Sequence, residues 1–447
     1  MKLSISILIL LFCFFLVEAQ STFHISGYIF DSQSGEVLIN AVVFEQNKNN
    51  STYTNNYGYF NLKVNEGENT LEISYSGTKN KLNIDVRKDT IINISINTSI
   101  ELKSVTVISD KQSLVNKLQP GMMNMSLKAV EKMPQLMGER DVLKTIQLMP
   151  GLNSASEGST DMVAWGGNTD QNLVLLDGVP IYNPNHIFGF FSVFNDDAIN
   201  STKVYLGDIP ARYNGRLSSV TDIRMREGNN QVFHCKGTAG TMSAKLLAEG
   251  PIIKNKSSFL VTGRISYLGL LAQPLMKHFT NFDGADYNFY DITAKFNHSL
   301  NANNKLFLSF YNGADYGESN KNLVFGATYE KTSFTTNATE LNKTGWGNSA
   351  TVLRWNHIFS GKAFSNLTLD YDNYFYNNQV QRVETYTVQG ASDNSTTKYL
   401  YSIKSDSKIE RKGMSYDLSF PFGDKHNINA GFHLAIFSLS PISQSDN

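Results

Sequence analysis

Lys305-Leu306-Phe307-Leu308-Ser309-Phe310-Tyr311 carries the pattern that governs the second half of the chain. Successive side chains of an extended segment point to opposite faces, so Leu306, Leu308 and Phe310 share one side while Lys305 and Ser309 fall on the other. The same dyad alternation is read in Phe233–Ala248, Ser257–Leu270, Tyr287–Ser299, Lys305–Tyr316, Gly345–Phe359, Ala363–Asn377, Tyr399–Leu418 and His426–Phe437. Short turns such as Asn301 to Asn304 alternate with long polar stretches such as Gln379 to Thr397. Eight amphipathic strands, with short turns at one end and long loops at the other, are what an outer-membrane barrel presents.

Composition points the same way. The 447 residues suffice for about three domains. Lys plus Arg is 39 and Asp plus Glu is 40, and this near-neutral balance excludes a nucleic-acid binder held mainly by phosphate contacts. Charged residues make up only 18%, while Phe, Tyr and Trp number 28, 21 and 3, a mix suited to a β-rich protein with one face in lipid. The first residues say where it goes. Lys2 gives a positive start, Ile5 to Val17 carries no charge, and Val17-Glu18-Ala19 offers small residues where a signal peptidase reads. Such a run is too short for a membrane-spanning helix. Cleavage after Ala19 leaves Cys235 as the sole cysteine and hence no internal disulfide. No later stretch approaches eighteen apolar residues, so an exported chain of this kind enters a membrane only as a barrel.

Residues 20–100 read as short strands separated by turns, among them Ile25–Phe30, Ala41–Phe44, Tyr59–Val64 and Asn69–Tyr75, and imply a small β-sandwich. Within them Thr54-Asn55-Asn56-Tyr57-Gly58-Tyr59-Phe60 resembles a stretch of carboxypeptidase-regulatory-like domains, which are non-catalytic seven-stranded sandwiches. His24 is the only histidine there and has no metal-ligand neighbours at useful spacing. From about 111 to 230 the texture becomes mixed α/β. Val142, Leu143, Ile146 and Met149 lie at helical spacing, with Glu139 and Asp141 expected in the first turn and Pro150-Gly151 as the stop. Asn172–Leu176 and Val179–Tyr182 flank Asp177-Gly178, a strong two-residue hairpin signal.

An ordered series of motifs then resembles the plug of TonB-dependent outer-membrane receptors. It runs through Leu148-Met149-Pro150-Gly151-Leu152, Trp165-Gly166-Gly167, Gln171 to Tyr182, Asn183 to Ser192, and Ala211 to Val220. A carboxypeptidase-like sandwich ahead of such a plug resembles the Bacteroidetes members of the family. The resemblance implies a mainly β architecture: the N-terminal sandwich, a linker at 101–110, a plug at 111–230, and at 231–447 the first eight or so strands of a 22-stranded transmembrane barrel. It implies a Ton box at Ser104, Val105, Thr106, Val107 and Ile108, an extended β-branched strip that pairs with periplasmic TonB of the TonB–ExbB–ExbD complex. It further implies an extracellular nutrient ligand (metal chelate, oligosaccharide or peptide), outer-membrane lipid around the barrel, and a surface lipoprotein as an additional partner. No cofactor is implied. Tyr182, His186, Phe188 and Phe190 form an aromatic-rich plug apex facing the ligand. Where the family usually has Arg before the paired glycines this chain has Trp165, which argues against a plug-to-barrel salt bridge at that position. Asp222, Glu227, Arg212, Arg216, Arg224 and Arg226 are the plug charges available to pair with the barrel lumen.

Other classes fit less well. A surface receptor that binds and signals without transport would be expected to carry an α/β signalling domain, and residues 20–100 lack its helices. An exported hydrolase needs a clustered nucleophile and base. Lys343-Thr344-Gly345, Ser392-Asp393-Asn394 and Ser405-Asp406-Ser407-Lys408 resemble the motifs of penicillin-recognising serine enzymes, but in reversed chain order and without a helix for the nucleophile. No phosphate-binding Gly-Lys-Ser/Thr loop is present, so energy for transport must come from a partner. At about 27 residues per strand a 22-stranded barrel takes on the order of 590 residues, and a fragment of a longer receptor is expected. Intact-mass measurement of the exported protein is expected to place its N-terminus near Gln20; an unprocessed Met1 would remove the export signal from the reading.

Overall fold

A computed structural model describes residues 21–46, 50–98, 121–126, 138–279, 282–329, 332–390, 394–422 and 426–446. The expected signal peptide and the strip Ser104–Ile108 lie outside them. The structure is mostly β, with 70% of the described residues in strands and 6% helical. It divides into two compact units, one of residues 1–103 with 357–364 and 419–428, the other of the remainder.

The first unit is a sandwich of two four-stranded sheets. In one, Thr22–Asp31 pairs antiparallel with Tyr59–Asn65 and parallel with Thr90–Ile91 and Ile94–Ile96. The other runs in the order Asn50–Tyr53, Val42–Glu45, Gly67–Tyr75, Thr78–Val86. Ile25, Ile29, Val43, Phe60, Leu62, Leu71 and Ile73 fill the core between them. The Thr54–Phe60 stretch is a set of turn devices. Thr54 Oγ1 accepts from Ala41 N–H at 2.8 Å and donates to Leu38 O at 2.6 Å. Asn55 Oδ1 accepts from the N–H groups of Tyr57 and Tyr59, and Gly58 at φ 73° lies so close to Val37 that a Cβ would stand 2.5 Å from it. In the same unit Tyr59 stacks on Phe364 with centroids 4.7 Å apart.

The second unit holds a mixed five-stranded sheet and a long antiparallel wall. The sheet order is Val179–Pro180, Asn172–Leu176, Ser219–Met225, Ile199–Leu206, Met122–Ser126. The hairpin across Asp177-Gly178 forms as read, with Leu176 opposite Val179 and both turn residues at positive φ, 50° and 91°. The helix is shorter than its periodicity suggests, Val142–Ile146, because Asp141 caps it by accepting from Lys144 N–H at 3.0 Å. Asp141 and Glu139 therefore precede the first turn rather than occupy it. Val142, Leu143 and Ile146 still bury the expected face, against Val174, Leu176 and Ile223.

The wall is a nine-stranded meander running from His234–Ala239 to His426–Asp446. Three expectations change here. Phe233–Ala248 is not one strand but part of a hairpin, His234–Ala239 against Ser243–Ile253, which turns at Gly240 and makes nine strands of eight. The polar stretch at Gln379–Thr397 is not a long loop, since Ala363–Gln389 and Asn394–Phe422 extend into it. Ladder hydrogen bonds use the backbone alone, so pairing continues where the apolar stripe has ended. The strand expected over Ser257–Leu270 ends at Ser266, and Leu268–Phe279 is a helix that takes in its last residues. Alternation sorts the wall's faces. Ile292, Phe296, Leu308, Phe310, Leu353 and Trp355 are exposed on one side, while Arg264, Asp291, Lys295, Ser309 and Asp315 are buried on the other. No described helix is long and apolar enough to cross a membrane.

Gly27 sits at φ 147°, and a Cβ there would stand 1.9 Å from the Ile92 carbonyl oxygen. Gly27→Ala is expected to destabilise the sandwich by about 1–3 kcal/mol, measured as lost hydrogen-exchange protection of Thr22–Asp31 in the intact protein.

Candidate functional site

The buried face of the wall meets the mixed sheet through paired charges. At the hairpin tip the Asp177 carboxylate receives Lys295 Nζ at 2.9 Å, Ser309 Oγ at 2.7 Å and Met225 N–H at 3.1 Å. Its carbonyl oxygen accepts from the Arg354 guanidinium at 2.5 Å. Burial alone would push this carboxyl up, but Lys295, Arg354 and Arg224 outweigh it and hold it well below the usual carboxylate range. Because the folded value is depressed, the stabilisation is present above the unfolded value of 3.8 and disappears only as pH falls through the folded one.

A second set of ion pairs forms a continuous line. Arg140 lies 3.8 Å from Asp196, and Asp196 2.7 Å from Lys245. Lys245 lies 2.6 Å from Glu139, which also takes the Ser243 hydroxyl, and Glu139 is 3.7 Å from Arg264. Arg264 lies 2.5 Å from Asp291, and between Asp291 (2.9 Å) and Asp315 (2.6 Å) sits His186. Signs alternate along the line. Arg140, Asp196, Glu139 and His186 come from residues 139–196, and the other four come from the wall.

His186 ends the short strand Asn185–His186, which pairs with Phe191–Ser192. Between them Ile187, Phe188 and Gly189 make one tight turn at φ 51°, 51° and 98°. Phe188 stands at its crest, 72% exposed, with ring centroids 5.1 Å from Trp346 and 5.5 Å from Tyr287. The four apex residues expected to act together are thus separated. His186 is buried and stacks on Phe289 at 4.2 Å. Tyr182 is half-buried 6.2 Å from Tyr374, with its N–H on Asn348 Oδ1. Phe190 faces the helix, under Lys144 Nζ at 4.4 Å. Only Phe188 points outward. Tyr287 and Trp346, its neighbours, were legible merely as aromatics within strands.

Among the plug charges proposed from sequence, Arg226 reaches the wall, with both Glu249 oxygens at 2.8 Å. Arg224 pairs with Asp222 of its own sheet, and Arg216 bonds the neighbouring Gly215 carbonyl. Glu227 accepts through its backbone carbonyl from Ser258 and Asn297. Arg212 is exposed. Trp165 is 70% exposed and lies over Gly151, where a Cβ would stand 2.8 Å from the indole. Lys343-Thr344-Gly345 and Ser405–Lys408 are on wall strands, Lys343 pairing with Glu318 and Lys408 with Glu410; Ser392 and Asp393 lie outside the described residues. Among the described residues no group of three or more His, Cys, Asp or Glu is placed to hold a metal.

Removing one member of a buried pair strands the other's charge, whereas removing both does not. Asp177→Asn and Lys295→Met are each expected to cost roughly 3 kcal/mol, and the double variant less than their sum, read from denaturant midpoints of the four proteins.

Residues 25–107 match the family model of the CarboxypepD_reg-like domain, and residues 125–219 that of the TonB-dependent Receptor Plug Domain. No curated protein matches the chain significantly. Among solved structures, it is similar to the ferric enterobactin receptor PfeA from Pseudomonas aeruginosa at 11% identity, over 72% of this chain and 62% of that one, with a TM-score of 0.35. The siderophore receptor PirA from Acinetobacter baumannii gives 11% identity over 71% and 63%, with a TM-score of 0.36. The hemophore receptor HasR from Serratia marcescens gives 9% over 75% and 61%, with a TM-score of 0.33. The chain thus spans about three-fifths of the length of these receptors. Joined in one chain are a stretch that matches the CarboxypepD_reg-like domain and, with its charged face against a wall of antiparallel strands, one that matches the TonB-dependent Receptor Plug Domain.

Proposed function

We propose that this chain acts as an outer-membrane receptor for TonB-dependent import of a large scarce nutrient: a metal chelate, an oligosaccharide or a peptide. The observation that carries the reading is the plug match at 125–219, in a segment whose buried Asp177 and His186 are answered by one face of the wall. The wall's opposite face exposes Ile292, Phe296, Leu308 and Phe310, chemistry suited to lipid. On this reading the N-terminal sandwich stands in the periplasm. The strip Ser104–Ile108 recruits TonB as an added strand, and the TonB–ExbB–ExbD complex supplies the energy. Phe188, with Tyr287 and Trp346 beside it, presents aromatic faces to the ligand. The sandwich-then-plug order agrees with the Bacteroidetes type. A receptor that binds without transporting is the competing reading, and uptake separates the two.

Growth of a deletion strain on candidate chelates, oligosaccharides and peptides identifies the ligand. With it, Phe188→Ala is expected to weaken binding about tenfold or more. Val107→Pro removes a backbone donor and is expected to abolish energised uptake while binding persists. Equal uptake by Val107→Pro and wild type would remove the Ton-box assignment.

A further inference from the structure

The turn Ile187-Phe188 is strained backbone. Two consecutive non-glycine residues, one of them β-branched, hold left-handed φ values of 51°. Such a turn persists only where its surroundings enforce it. Ile187 N–H donates to Tyr287 Oη at 2.9 Å and to Asp315 Oδ1 at 3.2 Å, and the Tyr287 hydroxyl itself donates to Asp315. On the other side, Thr160 N–H and hydroxyl both donate to the Gly189 carbonyl. Asp315 is therefore the post to which the turn is tied, and His186 holds that post from below.

The ring's own geometry fixes its protonation. Nδ1 lies 2.6 Å from Asp315 Oδ2, and Nε2 lies 2.9 Å from Asp291 Oδ2. Ionised carboxylates only accept hydrogen bonds, whereas a neutral imidazole offers one donor and one lone pair. A neutral ring would turn that lone pair on one of the two carboxylates. Both contacts are satisfied only when both nitrogens carry hydrogen. The ring meets Asp291 from strand Phe282–Asn301 and Asp315 from strand Asn304–Tyr329; Tyr311 and Arg264 in turn bond Asp291, and Tyr287 bonds Asp315. On the plug side Asp161 accepts from the side chain of Asn185, the residue before His186.

We propose that His186 is the positioning residue of the apex: pinned as an imidazolium between Asp291 and Asp315, it keeps Ile187 and Phe188 in their strained turn, and loss of its proton releases the aromatic tip. The role deepens the receptor reading, on which it rests for what the tip presents to a ligand. Burial pulls the imidazole's affinity for its proton down, but the two carboxylates outweigh it and raise the value above 6.5. The hold is therefore complete below 6.5 and is lost as pH rises through the folded value.

The test needs no ligand. In the purified full chain in detergent micelles, Trp165→Phe and Trp355→Phe leave Trp346 as the only indole. Trp346 is buried, donates to the Asn185 carbonyl at 3.2 Å and lies against Phe188. Its quenching by acrylamide is followed between about pH 5 and 9. The expected result is low quenching that rises through one midpoint above 6.5. His186→Gln is expected to be quenched strongly at every pH, and Asp291→Asn to lower the midpoint by about one unit. Should the Gln variant fail to fold, the Asp291→Asn midpoint decides alone. A pH-independent wild type, an unchanged midpoint in His186→Gln, or an unmoved midpoint in Asp291→Asn would each overturn the assignment. Absent uptake with an intact titration would sink the import reading and leave the latch standing; a flat titration with normal uptake would do the reverse.

Discussion

A charge taken out of water must be met by another, and between plug and wall most of the buried pairs cross the interface. The line from Arg140 to Asp315 alternates in sign at every step, and five of its seven steps pass between plug and wall, Arg140–Asp196 lying within the one and Arg264–Asp291 within the other. Desolvating each ion costs several kcal/mol, which mutual attraction repays only with good geometry and further hydrogen bonds. Those further bonds are present: Ser309 on Asp177, Tyr311 on Asp291, Tyr287 on Asp315. The position of the Asp177 hairpin, the apex turn and the segment entering the helix all follow from this pairing.

The division of labour is visible in what each part buries. The sandwich is centred on a cluster of aliphatic and aromatic side chains, and the plug has its own apolar centre around Val142, Leu143, Ile146 and Ile223. Wall residues join that centre sparingly, through Tyr311, Ala350 and Val352. Apolar burial thus folds the plug, and polar pairing registers it against the strands. Non-directional burial would tolerate a slipped register; ion pairs with 2.6–2.9 Å contacts at fixed strand positions do not.

Local signals were legible and distant partnerships were not. Asp177-Gly178 declares a hairpin because few other pairs accept two positive φ values, and Thr54-Asn55 to Gly58 is readable because side chain and turn lie within a few residues. The apolar spacing from Val142 onward located the helix, yet the same acidic residues that read as a first turn were diverted: Asp141 to the cap, Glu139 to Lys245 and Arg264. His186 read as one aromatic among several. What sets it apart lies 105 and 129 residues further along the chain, at Asp291 and Asp315, where two polar positions in strands gave no sign of their partner. Likewise Phe188-Gly189-Phe190-Phe191 offers three equivalent rings, and only the turn and the following strand pair send one outward, one onto Lys144 and one into the core.

An interface closed by charge also opens differently from one closed by hydrocarbon. Separating two apolar faces exposes surface to water at roughly 25 cal/mol per Å², with nothing gained in return. Separating Asp177 from Lys295, or Glu139 from Lys245, returns ions to water that solvates them well, so much of the lost pairing is recovered as hydration. Such a contact is specific while dry and weak once wetted. The plug's apolar centre supplies the opposite property, holding its own sheet and helix together whether or not the wall is against them. A domain built this way can be rigid within itself while remaining detachable from the strands beside it, because the forces that fold it and the forces that seat it are of different kinds.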